Sequence, residues 1–175
     1  MNKVYFREEQ RYTQWWVWLL LLLMFFVSVI PLWYGVYVQT VEDRVWGDQP
    51  MTTDKLVVVS IVVTLFVSAI IWLFLVQKLE TEVTSEGLRY RYLPFISKWR
   101  VIKPNEIAGY TVGPYTPVST YGGWGVRSGG KSIGKAYTIS GKNGLQITIN
   151  GGSKILIGTQ RRDALKYAME KLMNQ

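Results

Sequence analysis

The sequence predicts an α+β membrane protein in which two transmembrane helices precede an antiparallel β-sandwich or barrel with a C-terminal helix. Three observations predict it. Residues 15–38 pass without one formal charge, and residues 56–76 repeat that pattern. At about 1.5 Å of rise per residue, either run is long enough to cross a roughly 30 Å hydrocarbon core. Beyond residue 78 the pattern changes to short apolar stretches broken by glycine, proline and asparagine, the mark of antiparallel strands. The chain therefore divides into an N-terminal segment (1–14), a helical hairpin with a short extracytoplasmic loop (15–77) and a C-terminal domain (78–175).

Composition narrows the chemistry. The 175 residues include no cysteine and no histidine, which excludes disulfides, thiol or imidazole catalysis, and zinc sites built on those ligands. Of the net charge of +8, the first 14 residues carry +1, the connector over 39–55 carries −2, and the C-terminal domain carries +9. Lys3, Arg7 and Arg11 precede the first run, and Lys78, Arg89 and Arg91 follow the second, against Arg44 and Lys55 between them. The positive-inside rule then puts both termini on the cytoplasmic side. The first run is too long and too aromatic for a cleaved signal peptide.

The first 14 residues, polar and of mixed charge, read as a brief lead-in held on the cytoplasmic side. Trp15, Trp16 and Trp18 mark one end of the first span and Trp33, Tyr34 and Tyr37 the other, where amphipathic rings match the two headgroup levels. Pro31 frees the carbonyl of Val27 and predicts a kink or the end of the regular helix. The connector reads as a solvated turn, because Glu42, Asp43, Asp48 and Asp54 lack the alternate spacing of a calcium loop. Thr52, Thr53 and Asp54 offer N-caps for the second helix. Within it, Ser60, Thr64 and Ser68 recur at i, i+4 and i+8, a spacing that predicts a helix-packing face. The alternative is a polar stripe in a subunit of an oligomeric channel or transporter.

In the C-terminal domain, residues 79–83 and 88–92 alternate apolar and polar positions around a turn at Glu86 and Gly87, and residues 98–102 continue the sheet until Pro104. Residues 108–112 form a fourth strand. Residues 113–134, rich in glycine, read as an irregular connection. Residues 136–140 and 145–149 are expected to form one hairpin around Lys142, Asn143 and Gly144. A second joins 145–149 to 155–157 through Asn150, Gly151 and Gly152. Thr159 is the expected cap of a final amphipathic helix from Gln160 to about Met173, with Asp163 in its first turn. The count is roughly seven antiparallel strands and one helix.

That strand order resembles the pleckstrin-homology-like (PH-like) domains of small bacterial membrane proteins. The string from Tyr121 through Trp124 to Arg127, with residues 136–141 and 157–160, looks like an uncharacterised bacterial family of two-span proteins with such a cytoplasmic domain. The resemblance implies a membrane-anchored scaffold or regulatory module in the bacterial inner membrane, with no activity to carry over.

Candidate sites follow from residue type. Tyr121, Trp124, Arg127, Lys131 and Lys135 form a candidate interaction surface, an aromatic platform beside planar and ammonium donors. Arg89, Arg91, Lys98, Arg100 and Lys103 form a candidate membrane-proximal basic surface, while Lys131, Lys135, Lys142 and Lys154 lie at loops. The glycines at 122, 123 and 125 have no following helix, and Gly129-Gly130-Lys131-Ser132 lacks P-loop spacing. No carboxylate pair falls in a catalytic pattern. The expectation is a non-enzymatic module without cofactor or metal. Its expected partners are the lipid bilayer and a protein or a second copy of the chain. Anionic-lipid recognition is the alternative, and no nucleic acid is expected.

Overall fold

The computed structural model describes residues 3–174, apart from the side chains of Lys131 and Ser132. The chain forms two compact units, one of residues 13–76 and one that joins the N-terminal segment to everything from residue 77 onward.

The helical unit is an antiparallel pair, α1 (Trp15–Val41) and α2 (Thr53–Val76). Both are long and apolar enough to cross a membrane. The regular part of α1 continues through Pro31 rather than ending there. Its inward stripe is Val17, Leu21, Val29, Gly35 and Val38; that of α2 is Leu56, Ser60 and Val67. The expected packing face is corrected at one position. Ser60 is fully buried and Thr64 half-buried, but Ser68 is exposed. Successive steps of four residues overshoot a 3.6-residue turn by about 40° each, so the third hydroxyl has rotated off the seam, and Val67 takes its place. The hydroxyls of Ser60 and Thr64 donate to carbonyls one turn back, at 2.7 Å each. The Trp33 indole donates across to Thr64 Oγ1 at 3.0 Å, so this ring has a packing role beside that of a headgroup anchor. Gly35 is small because the Trp46 ring lies where its Cβ would be, 2.6 Å away.

In the other unit the described residues form nine strands. The first four are β1 (Val4–Arg11), β2 (Lys78–Thr84), β3 (Gly87–Leu93) and β4 (Ile96–Ile102), an antiparallel sheet in that order. The N-terminal segment is thus no lead-in but an edge strand, with Arg7 opposite Glu82 and Arg11 opposite Lys78. Its inward positions are Phe6, Glu8 and Gln10, all buried. Two of the three are polar, and that hides the period-two pattern.

After a short turn at Pro104–Glu106 come β5 (Ile107–Pro114), α3 (Pro117–Tyr121), β6 (Gly125–Ser128), α4 (Gly130–Ile133), β7 (Lys135–Thr138), β8 (Asn143–Ile149), β9 (Lys154–Thr159) and α5 (Arg162–Met173). The second sheet has the order β5-β8-β9-β7-β6. Two expectations fail here. Residues 113–134 contain short ordered elements, and β7 makes no hairpin with β8. The β8–β9 hairpin folds as expected, with Gly144 opposite Gly158, but β9 inserts between β8 and β7 and runs parallel to β7. The glycines permit this crossover. Gly141 turns at φ +80°, and a Cβ on Gly158 would stand 3.3 Å from Thr138.

No barrel closes. The two sheets share one core of Phe6, Leu79, Val83, Leu88, Ile139, Leu145, Ile147 and Ile157, against which α5 packs Leu165, Met169 and Leu172. Helix α5 begins at Arg162 and Thr159 does not cap it. The Thr159 hydroxyl accepts the Arg161 N–H at 3.0 Å and donates to Glu8 Oε2 at 2.6 Å, while the Gln160 N–H donates to Glu8 Oε1 at 2.8 Å. A residue about 150 positions upstream therefore holds the turn into the last helix.

Phe6→Ala is expected to lower stability by about 3 kcal/mol, the usual cost of emptying a buried aromatic site. Val4→Ala, at an exposed position of the same strand, should cost less than about 0.5 kcal/mol. Denaturant unfolding of the full chain in detergent, followed by tryptophan fluorescence, measures both.

Candidate anion-binding cavity

Basic side chains in the sheet unit meet two different fates. On the outer face of the first sheet, cross-strand register places Arg7, Glu82 and Arg89 in one row and Glu9, Glu80 and Arg91 in another. Glu82 accepts from Arg89 Nε at 2.6 Å and forms an ion pair with Arg7 Nε at 3.2 Å. Glu80 is bonded to Arg91 and to Lys78 Nζ at 2.5 Å. The Arg89 and Arg91 guanidinium groups lie over the Trp99 ring, 5.4 and 4.6 Å from its centroid, a cation–π roof that helps bury both carboxylates. Burial alone would raise the Glu80 carboxyl. The bonds from Arg91 and Lys78 outweigh it and hold that group at about 2.

Arg100 goes elsewhere. It lies on β4 and lines an open cavity of about 450 Å³ with Lys135 at the start of β7 and Lys154 at the start of β9. Parallel strands bring their first residues to the same end of a sheet, so the β7–β9 pairing, with Lys135 opposite Ile155, places the two lysines together. Ser128, Ser153 and Tyr137 also line it. Among the described residues no carboxylate lines it and none of the three cations forms an ion pair. Tyr90 and Tyr137 are buried with ring centroids 5.1 Å apart. Burial first, and then Tyr137, pushes the Tyr90 phenol up to about 12 against the pull of Arg100, so its hydroxyl stays protonated. Gly134 is one of the lining residues, at φ +85°, where a Cβ would collide with the Lys154 carbonyl.

The sequence-derived surfaces are redistributed accordingly. Of the membrane-proximal set, Arg89 and Arg91 are committed to Glu82 and Glu80, Arg100 enters the cavity, and Lys98 and Lys103 are exposed. Of the interaction surface, Trp124 Nε1 donates to the Gly141 carbonyl at 2.9 Å, bracing the crossover, and Arg127 Nε donates to the Trp124 carbonyl at 3.1 Å. The Tyr121 hydroxyl donates to the Ile133 carbonyl at 3.4 Å. Lys135 belongs to the cavity, and the side chain of Lys131 lies outside the described residues. Sequence reasoning had Lys135 and Lys154 together only as loop lysines and Arg100 in the membrane-proximal set, and the unforeseen parallel pairing and the approach of β4 bring the three to one cavity. Among the described residues no three carboxylates cluster as metal ligands. Compared with known proteins, the chain matches no family model, no curated protein and no solved structure.

The Glu80 bonds carry a pH dependence of definite sign. The folded carboxyl lies below its ordinary value of 4.5, so its stabilisation is present above that value and is lost as pH falls from there towards about 2. After discounting for solvent screening, the loss is on the order of 2 kcal/mol. Thermal unfolding across that window should show a steep acid limb in the native chain and a flatter one in Glu80→Gln.

Proposed function

We propose that this chain is a membrane-anchored interaction module of the bacterial cytoplasmic membrane, with both termini cytoplasmic and the sheet unit presented at the inner face as a scaffold or regulatory surface. The observation that carries this reading is the exposure of the helical pair. Only 17% of the most apolar window of each helix is buried, whereas a core helix of a soluble protein would be mostly covered. Leu19, Leu20, Leu22, Leu23, Phe26 and Val27 on α1, and Val58, Val62, Leu65 and Phe66 on α2, stay open. In water such contiguous apolar area would be a severe liability, and in hydrocarbon it is the required surface.

Connectivity supports the topology. Strand β1 leads into α1 through residues 12–14, α2 leads into β2 through Gln77, and the two strand ends are paired at Arg11 and Lys78. A hairpin whose two ends join neighbouring strands of one sheet leaves and re-enters the same side. The basic residues flanking the helices favour the cytoplasm for that side. The first meander, the second sheet and the closing α5 support the PH-like reading, and the parallel β7–β9 pair departs from the expected all-antiparallel order. The channel alternative loses support, since Ser68 leaves the stripe and the hydroxyls of Ser60 and Thr64 donate to their own helix.

The absence of cysteine makes a direct test simple. With Asp48→Cys or Lys142→Cys as the single thiol, a membrane-impermeant maleimide should label the first in intact cells and the second only after permeabilisation. The opposite pattern, or release of the chain by an alkaline carbonate wash, rules out the anchored topology. Crosslinking in native membranes should join the sheet unit to another polypeptide or a second copy. Recovery of uncrosslinked monomer alone would remove the interaction role.

A further inference from the structure

We propose that the cavity formed by Arg100, Lys135 and Lys154 is a binding site for a phosphomonoester carried on a compact organic body. The inference goes beyond membrane anchoring, because it stands on the sheet unit alone and not on insertion of the helices. Three cations from three strands of two sheets converge on one concave surface without a carboxylate among the lining residues. Their mutual repulsion opposes that arrangement, and no described residue forms an ion pair with them, although the same sheet unit pairs Arg7, Lys78, Arg89 and Arg91 with Glu82 and Glu80. A bound anion supplies what the cavity lacks.

The donor set selects among anions. A carboxylate offers one charge and two oxygens and would leave most of the positive charge uncompensated. A phosphomonoester offers up to two charges and three terminal oxygens, enough for one guanidinium, two ammonium groups and the hydroxyls of Ser128 and Ser153. Arg100 supplies a planar fork, the lysines supply adjustable point charges, and Tyr137, one of the lining residues, packs against buried Tyr90. A volume of about 450 Å³ far exceeds a bare phosphate and falls in the range of small-molecule sites. Ile155 adds an apolar residue to the lining for the organic body. Close backbone approach at Gly134 shapes the rim without a side chain to obstruct it.

A phosphomonoester reaches such a site either as a soluble metabolite or as a lipid headgroup, and two probes separate these sources. The full-length chain in maltoside micelles is titrated with phenyl phosphate by calorimetry and thermal shift, with benzoate as the carboxylate control. Phosphatidic acid in mixed micelles is then offered as competitor. Phenyl phosphate should bind and raise the melting temperature, weaken with added salt, and exceed benzoate. Lys135→Gln and Lys154→Gln should each weaken it about tenfold. The ligand-free melting temperature of both variants should stay at or above that of the native chain, since like-charge repulsion is relieved. The double variant Lys135→Arg, Lys154→Arg, which keeps the charge, should retain binding. Displacement by phosphatidic acid assigns the site to a headgroup, and failure to displace assigns it to a soluble phosphate ester. The proposal is overturned if phenyl phosphate and phosphatidic acid both fail to bind, if benzoate binds as well as phenyl phosphate, or if the glutamine variants bind as tightly as the native chain. It is also overturned if the arginine variant loses binding together with the glutamine variants, because packing rather than charge would then explain the loss.

Discussion

The sheet unit depends on one buried carboxylate. Glu8 points into the core from β1, where an unpartnered charge would cost several kcal/mol, and it is satisfied by the Thr159 hydroxyl and the Gln160 N–H at the junction of β9 and α5. Gln10, two residues on, donates its amide to the Gly158 carbonyl at 2.8 Å. These bonds join the N-terminal strand of the first sheet to the last strand of the second. They also set where α5 begins, and α5 in turn covers the core between the sheets. A strand supplied from the far side of two long helices is therefore a structural member of the unit, because its buried Glu8 carboxylate is satisfied by Thr159 and Gln160.

That dependence explains what could be read from the sequence. The two apolar helices and the β2–β3–β4 meander were legible, since charge-free length and tight turns between alternating residues are local signals. Strand β1 was not, because its inward positions Glu8 and Gln10 look like solvent-facing residues until Thr159 and Gly158 are placed against them. The parallel pairing of β7 with β9 was equally hidden. Residues 140–144 carry the local chemistry of a hairpin turn, with Gly141 and Gly144 inside it, and nothing local states that β9 will insert between the two strands. Ser68 shows the same limit on a smaller scale, for a spacing of four is nearly but not fully a helical repeat, and the drift appears only when Val67 is seen on the seam.

The candidate site was scattered in the sequence for a further reason. Net charge counts Arg89, Arg91 and Arg100 alike, but strand register separates them. Arg89 and Arg91 stand directly across from Glu82 and Glu80 and are closed over by Trp99. Arg100 stands across from Tyr90, which gives it a hydroxyl neighbour and no countercharge. The surplus of basic residues in this unit is thus not spread evenly as a generic membrane-attracting field. Part of it is absorbed in buried ion pairs that fix the first sheet, and part is held uncompensated at one concavity.

The crossover that defeated sequence reading is also what builds that concavity. Had β7 formed a hairpin with β8, its neighbour would have been antiparallel, and Lys135 would have stood at the opposite end from the first residue of its partner. With β9 inserted, both first residues share one end of the sheet. The chain before β7 must then turn sharply, which the positive φ of Gly130 and Gly134 allows. That turn becomes the rim, and Trp124 braces the far side of the crossover through the Gly141 carbonyl. Glycine in residues 113–134 therefore serves the geometry of a site wall more than the flexibility of a loop. One topological change, a strand placed between two others, accounts together for the parallel pair, the ordered insertion and the meeting of Lys135 with Lys154.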